Sequence, residues 1–214
     1  MEKVKTKLYG DYDLYANAAI YELNIDQQFD INKDAIKDVL LQFKPQLIVE
    51  IGSWLGTSAI YMAEVLKEIH DDFEIVCVDT WLGSVEHWTG ESCHDFKQTL
   101  MQDNGRQNLL YKKFLSNVIQ NNLQEYITPL CLDSSNAYWL LNKNRVQPDM
   151  IYIDASHDYF SVRVDLFNYS NLVKVGGCIL GDDWHHYPIK NAVYDTFLRK
   201  DIVEKSEDKY LWIK

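Results

Sequence analysis

Two hydrophobic regimes alternate along this chain: short, mainly apolar runs, and longer stretches in which apolar residues recur three and four apart. The runs cover 47–51, 75–79, 127–132, 150–154 and 177–182. Runs this short, without period-two alternation, predict strands buried on both faces, as in a parallel sheet. Three of the five end in aspartate, which puts carboxylates where such sheets bind ligands. Helical spacing over 58–69, 114–123 and 162–172 supplies the crossovers that parallel neighbours require. A further helix at 191–198, then an acidic turn-bearing stretch at 203–209 before Tyr210, Leu211, Trp212 and Ile213, predicts a closing hairpin and an antiparallel edge. Residues 1–44 read as mainly helical, with Asn32 as the N-cap of a helix over 34–43, and as a cover over a ligand. The stretch 80–111 lacks periodicity, is rich in Trp, His and polar groups, and follows the second strand. That is the position of a substrate lid.

The 214-residue chain contains no linker-like stretch and is read as one domain, 1–214. Hydrophobic residues make up 47% and aromatics 13%, with only 4 prolines, enough apolar material for a full core and too much for disorder. A formal net charge of -11 repels phosphate backbones and anionic lipid, so neither nucleic acid nor membrane is an expected partner. Cys77, Cys93, Cys131 and Cys178 have no CxxC spacing, and three lie in apolar runs as ordinary buried thiols. No signal-peptide core and no run of ~18 apolar residues is present, so a cytoplasmic location is expected. The expected partner is a small-molecule acceptor, with room left for a homo-oligomer.

The segment from Glu50 to Thr57 passes from a strand through a glycine turn into a helix, where a nucleotide-like cofactor meets backbone N–H groups. Gly52 permits a tight turn and a close approach to the main chain, and Gly56 relieves crowding between helix and strand. Plain strand-to-helix punctuation explains the same two glycines. The spacing is not the GxGxxG of a dinucleotide site, and Glu50 stands where a carboxylate can meet a cationic amino-acid group. Both points favour S-adenosylmethionine over NAD. Asp79, ending the second strand, suits ribose hydroxyls, or is a simple strand-end acid. Asp133 and Ser134 suit the adenine edge, and a helix N-cap almost equally well. Ser53, Thr80 and Trp81 beside these strand ends, and Asp154 beyond the fourth strand, complete the expected cofactor set.

A second constellation joins Asp154, Ala155, Ser156, His157 and Asp158 to Asp182 and Asp183, each group directly after an apolar strand. Three carboxylates at 154, 182 and 183 brought together repel one another unless a hard cation such as Mg²⁺ neutralises them. Such a cation orients a substrate hydroxyl and lowers its pKa, and His157 is placed to take the proton. Strand-end caps and a loop histidine remain the structural alternative. His185 and His186 compete as bases or substrate contacts, and Trp81, Trp88 and Trp184 are expected at the mouth of the site, with core packing open for at least one.

The combination VEIGSWLGTSAIYMA, VDTWLGS, YIDASHDYFSVRVDL and VKVGGCILGDDW resembles class I methyltransferases of the small-molecule O-methyltransferase type, especially the bacterial sugar methyltransferases that act on antibiotics such as macrolides. The resemblance spans roughly residues 45 to 185 in order and spacing. It implies a Rossmann-like three-layer α/β sandwich with a seven-stranded sheet in the order 3-2-1-4-5-7-6, the last strand antiparallel. S-adenosylmethionine would lie across the first two strand ends, at Glu50, Gly52 and Asp79. It further implies Mg²⁺ on Asp154, Asp182 and Asp183, with His157 at the position of the base, where catechol-type relatives carry lysine. Ala155 and Ser156 depart from a common DGDH form. The implied reaction is methylation of a hydroxyl of a sugar, polyol or similar small molecule. A metal-independent enzyme using His157 alone, or a silent cofactor-binding module, are the alternatives.

Overall fold

Five strands form the parallel part of the sheet: β1 (Leu47–Ile51), β2 (Glu74–Asp79), β3 (Ile127–Cys131), β4 (Met150–Ile153) and β5 (Cys178–Gly181). The computed structural model describes residues 2–23, 33–89, 97, 100–101 and 108–214. The hairpin β6 (Ile202–Glu204) and β7 (Tyr210–Ile213) completes a seven-stranded sheet of order β3-β2-β1-β4-β5-β7-β6. Only β7 runs against its neighbours, pairing antiparallel with both β5 and β6. Order and direction are those that the resemblance implies. The short apolar runs became strands because both faces of the sheet are covered, so every residue of β1, β4 and β5 is buried.

One face packs against α2 (Lys33–Phe43), α3 (Thr57–Lys67) and α5 (Leu109–Gln120), and the other against α6 (Ser134–Lys143), α7 (Tyr159–Leu172) and α8 (Tyr187–Thr196). Alternate strand residues divide between the two cores: Ile48, Ile75 and Tyr152 go to the first, and Val49, Val76 and Ile151 to the second. The helices start earlier than periodicity places them, and at α6 and α7 an aspartate cap precedes the apolar stripe. Asp158, for example, accepts hydrogen bonds from the N–H groups of Phe160 and Ser161 and starts α7 at Tyr159.

The first 44 residues differ from expectation. Among the described ones, only α1 (Val4–Tyr9) and α2 are helical, with turns after α1, and Asn32 lies outside the described residues. Buried Glu74 accepts from the N–H groups of Val4 and Lys5, capping α1 where Lys3 offers no side-chain cap. Tyr9 and Tyr15 then donate their hydroxyls to the carbonyls of Pro129 and Ile127 on β3. The segment therefore seals an edge strand whose backbone groups would otherwise stay unpaired, and none of its described residues lines the main cavity. Pro129, which has no N–H, fits such an edge. Cys77 and Cys178 are buried as expected; Cys131, the last residue of β3, is exposed, and Cys93 lies outside the described residues. Among the described residues no helix is long and apolar enough to cross a membrane.

Candidate functional site

A cavity of about 670 Å³ opens over the carboxyl ends of β1, β2, β3 and β4, lined by the turn after β1, Asp79 and Thr80, the 132–135 loop, the 154–157 loop and one side of α7. The turn is held by one carboxylate. Asp79 Oδ2 accepts from the N–H groups of Ser53 and Trp54, both at 2.9 Å, and Oδ1 accepts from Trp81 N–H at 2.7 Å. That clamp sustains a left-handed backbone at Trp54, φ 46°, which a bulky residue adopts only when its surroundings enforce it.

Gly52 is required by something other than a ligand. At φ 85° an added Cβ would lie 1.9 Å from the carbonyl oxygen of Asp154, so the turn is pressed against the end of β4. At Gly56, φ 84°, an added Cβ would lie 3.0 Å from the ring of Phe114 on α5, so the crowding it relieves is between helices, not between helix and strand. Ser53 Oγ is buried at the cavity wall with no hydrogen-bond partner.

Glu50 does not reach the cavity. It is fully buried, accepting from Ser58 Oγ at 2.5 Å and from Cys77 Sγ at 3.3 Å, and burial pushes its carboxyl above the ordinary range. The alternation of side chains along β1 turns it toward α3, into the sheet face opposite Val49 and Ile51. Trp81 is corrected likewise: it lies in the core against Tyr111 and Phe114, its indole N–H bonded to the Trp54 carbonyl. Trp184 is also a core residue, and Trp88 packs on the core's margin. Asp133 caps α6, accepting from Asn136 N–H, and this hydrogen bonding holds its carboxyl below the usual range. Ser134 begins that helix and lines the cavity.

Beyond β4 the structure brings together Asp154, His157 and Asp183, with ligand-type atoms all within 4.8 Å of one another. His157 Nε2 lies 2.8 Å from Asp183 Oδ2, and Nδ1 lies 3.2 Å from Glu86 Oε1 on the short helix α4 (Val85–Trp88). The hydrogen bond to Asp183 outweighs burial and raises the imidazole to about 9. Burial pushes Asp183 up, but the hydrogen bond and charge of His157 leave it below its ordinary value. Asp183 also sits at φ 55°, a left-handed position beside Asp154 and His157. Asp154, with no donor side chain among the described residues, is pushed well up by burial and by the charges of Asp182 and Asp183.

Asp182 is engaged elsewhere. Its Oδ1 pairs with the ammonium of Lys209 and accepts from Asp183 N–H, while Oδ2 accepts from the Tyr152 hydroxyl at 2.9 Å. Lys209 is 3% exposed, an internal cation set just before β7. The three-acid convergence therefore becomes two acids and an imidazole, because a built-in ammonium neutralises the third acid. His185 Nδ1 pairs with Asp208 and His186 approaches Asp183 at 4.0 Å; both are exposed and neither lines the cavity.

The start of the expected lid does border the cavity: Gly83, Ser84 and His87 line it, and His87 stacks on Trp54 with ring centroids 4.5 Å apart. Residues 90–96, 98–99 and 102–107 of that stretch lie outside the described residues. Sequence reasoning missed Glu86, His87, Lys209 and Asp165. Only Asp165 carried a signal, since Val162, Asp165, Leu166 and Tyr169 share the buried stripe of α7 and an acid interrupts an apolar series.

A family model described as a methyltransferase domain matches residues 49–184. No curated protein matches the sequence. Among solved structures, an O-methyltransferase from Bacillus cereus in complex with SAH is similar, at 14% identity and TM-score 0.58, over 98% of this chain and 95% of that one. The O-methyltransferase TomG from Streptomyces achromogenes, involved in tomaymycin synthesis and in complex with SAM, gives 13%, 0.57, 96% and 91%. The O-methyltransferase NovP gives 18%, 0.53, 86% and 78%. At these identities the likeness is one of fold.

Proposed function

The chain belongs to the methyltransferase-domain family, and from that premise we propose that it transfers the methyl group of S-adenosylmethionine to a hydroxyl of a small molecule such as a sugar or polyol. One observation carries the reading: a cavity at the carboxyl ends of the strands has a clamped glycine turn for one wall, with Asp154 and His157 lining it beside that turn. A cavity of this size suits a cofactor with part of an acceptor beside it. The orphaned Ser53 Oγ and the lone pair that Asp79 Oδ1 keeps beside the Trp81 N–H provide polar contacts for the cofactor. The bound SAM and SAH of the similar structures favour that choice of cofactor.

Bound S-adenosylmethionine supplies an electrophilic methyl group; the protein contributes alignment, holding sulfonium and acceptor hydroxyl in line. His157 takes the hydroxyl proton at a ring nitrogen once it has lost its own. Asp154 and Asp183 fit a hard divalent cation, since carboxylate oxygens are its preferred donors and Asp154 has no other donor among the described residues. Such a cation would supply charge neutralisation and a lowered hydroxyl pKa. Lys209 favours a second reading, in which this internal ammonium provides part of that neutralisation and no metal is needed.

The test is incubation with labelled S-adenosylmethionine and a panel of sugars, catechols and nucleotides, with and without Mg²⁺, alongside calorimetry on the wild type and Asp79→Ala. Binding that Asp79→Ala weakens severely, and a methylated hydroxyl product, are expected. No heat with the cofactor refutes the proposal. Full activity in chelator and in Asp154→Asn selects the metal-free reading.

A further inference from the structure

On the buried stripe of α7, Asp165 is 4% exposed and still lines the cavity. Among the described residues no lysine, arginine or histidine pairs with it, and the one donor turned toward it is the hydroxyl of Ser134. A buried carboxylate has lone pairs for several donors, so this one remains short of partners. On the same helix, Phe160 and Val164 line the same cavity and are 77% and 47% exposed, apolar surfaces that no described residue covers. With Leu132 they form an apolar slot whose polar edge is Asp165 and Ser134.

The Ser134 edge of the slot has a definite place in the sheet. Ser134 follows β3, and the order β3-β2-β1-β4 separates it by three strand positions from the loop that carries Asp154 and His157. Three spacings amount to roughly 14 Å. An acceptor hydroxyl must meet the methyl group near the ionisable cluster, so the opposite end takes the flat, nonreacting part of the cofactor. Asp133, the other acid there, already caps α6 with its carboxylate.

We propose that Asp165 selects the base of the cofactor, accepting a hydrogen bond from the exocyclic amine of an adenine held against Phe160, Val164 and Leu132. The assignment rests on the reading that the cavity takes S-adenosylmethionine, and it makes Asp165 a specificity residue that touches the cofactor. A site built to accept an N–H rejects the analogue lacking it, because its own acceptor is then left unpaired.

Calorimetry with S-adenosylhomocysteine, its inosine counterpart and its N6,N6-dimethyl counterpart tests this on wild type, Asp165→Asn, Asp165→Ala and Asp133→Asn. Wild type is expected to prefer the adenosine ligand over both analogues by about tenfold to a hundredfold. Both Asp165 variants lose most of the preference over the inosine compound, and Asp133→Asn keeps it. Equal affinity of the wild type for the adenosine and dimethyl ligands overturns the assignment without any variant, should the substitutions impair folding. A preference retained in both Asp165 variants overturns it too, while leaving the cofactor reading intact. No binding of any of the three ligands by the wild type refutes both.

Discussion

Replacing Asp165 by asparagine removes a buried ionisable group, and its effect on stability follows from where that group titrates. Burial raises the Asp165 carboxyl to about 6, with the Ser134 hydroxyl offsetting part of the shift; in the unfolded chain it titrates at about 3.9. Below the unfolded value both states are protonated and the acid costs nothing. As pH rises from about 4 to about 6 the unfolded state releases its proton first, so stability falls. Above about 6 both states are ionised and the penalty stays at about 3 kcal/mol. Asparagine is nearly isosteric and carries no such penalty. Asp165→Asn is therefore expected to stabilise the protein by up to about 3 kcal/mol at pH 8 and by about 1 kcal/mol at pH 4.5. In melting temperature, the pH 8 effect is roughly 6–12 °C for a domain of this size. Urea unfolding of both proteins at the two pH values gives the difference directly and cancels every other titrating group. A variant less stable than wild type at pH 8, or an equal difference at both pH values, refutes the reasoning. Together with lost base selectivity, a gain in stability marks a residue that weakens the fold and serves the ligand.

Lys209→Met should lower stability by up to about 3 kcal/mol in urea unfolding, since it leaves half-buried Asp182 near Asp154 without its cation; a neutral result would show that Asp182 is paired in another way. Gly52→Ala should fail to fold: the added Cβ meets the Asp154 carbonyl at 1.9 Å and a positive φ opposes it as well, so native-like circular dichroism would refute the packing described. Asp183→Asn should bring the His157 imidazole down from about 9 toward its ordinary value, because the largest cause of the rise is the hydrogen bond to Asp183. An NMR titration following the ring protons checks this, and an unmoved midpoint would shift the cause to Glu86.

Much of the architecture was legible in the chain because periodicity reports burial. Runs such as Met150–Ile153 are apolar at every position, and only a strand covered on both faces has that requirement. Strand ends carrying Asp79, Asp154 and Asp182 located the site for the same reason, since an acid can follow such a run only where the sheet stops. The N-terminal segment was less readable. Its tyrosines serve the exposed edge of β3 through single hydroxyls, and such contacts leave no period. Trp81 and Trp184 misled because an aromatic between polar neighbours looks the same in sequence whether it faces a ligand or a core.

The sequence by itself determined that a glycine turn follows β1, that acids and a histidine gather at strand ends, and that the sheet is mostly parallel. Those follow from residue type and spacing along one chain. Only the tertiary structure decided which acids are free. Glu50 is turned into the core by the side-chain alternation of β1, Asp79 is bound to the turn's own N–H groups, and Asp182 is neutralised by Lys209 from the closing hairpin. Asp154 and Asp165 are left lining the cavity, and Asp183 is held by the His157 imidazole. A carboxylate's role depends on the donors around it, and those donors arrive from distant parts of the chain through sheet order and register, which spacing alone does not encode.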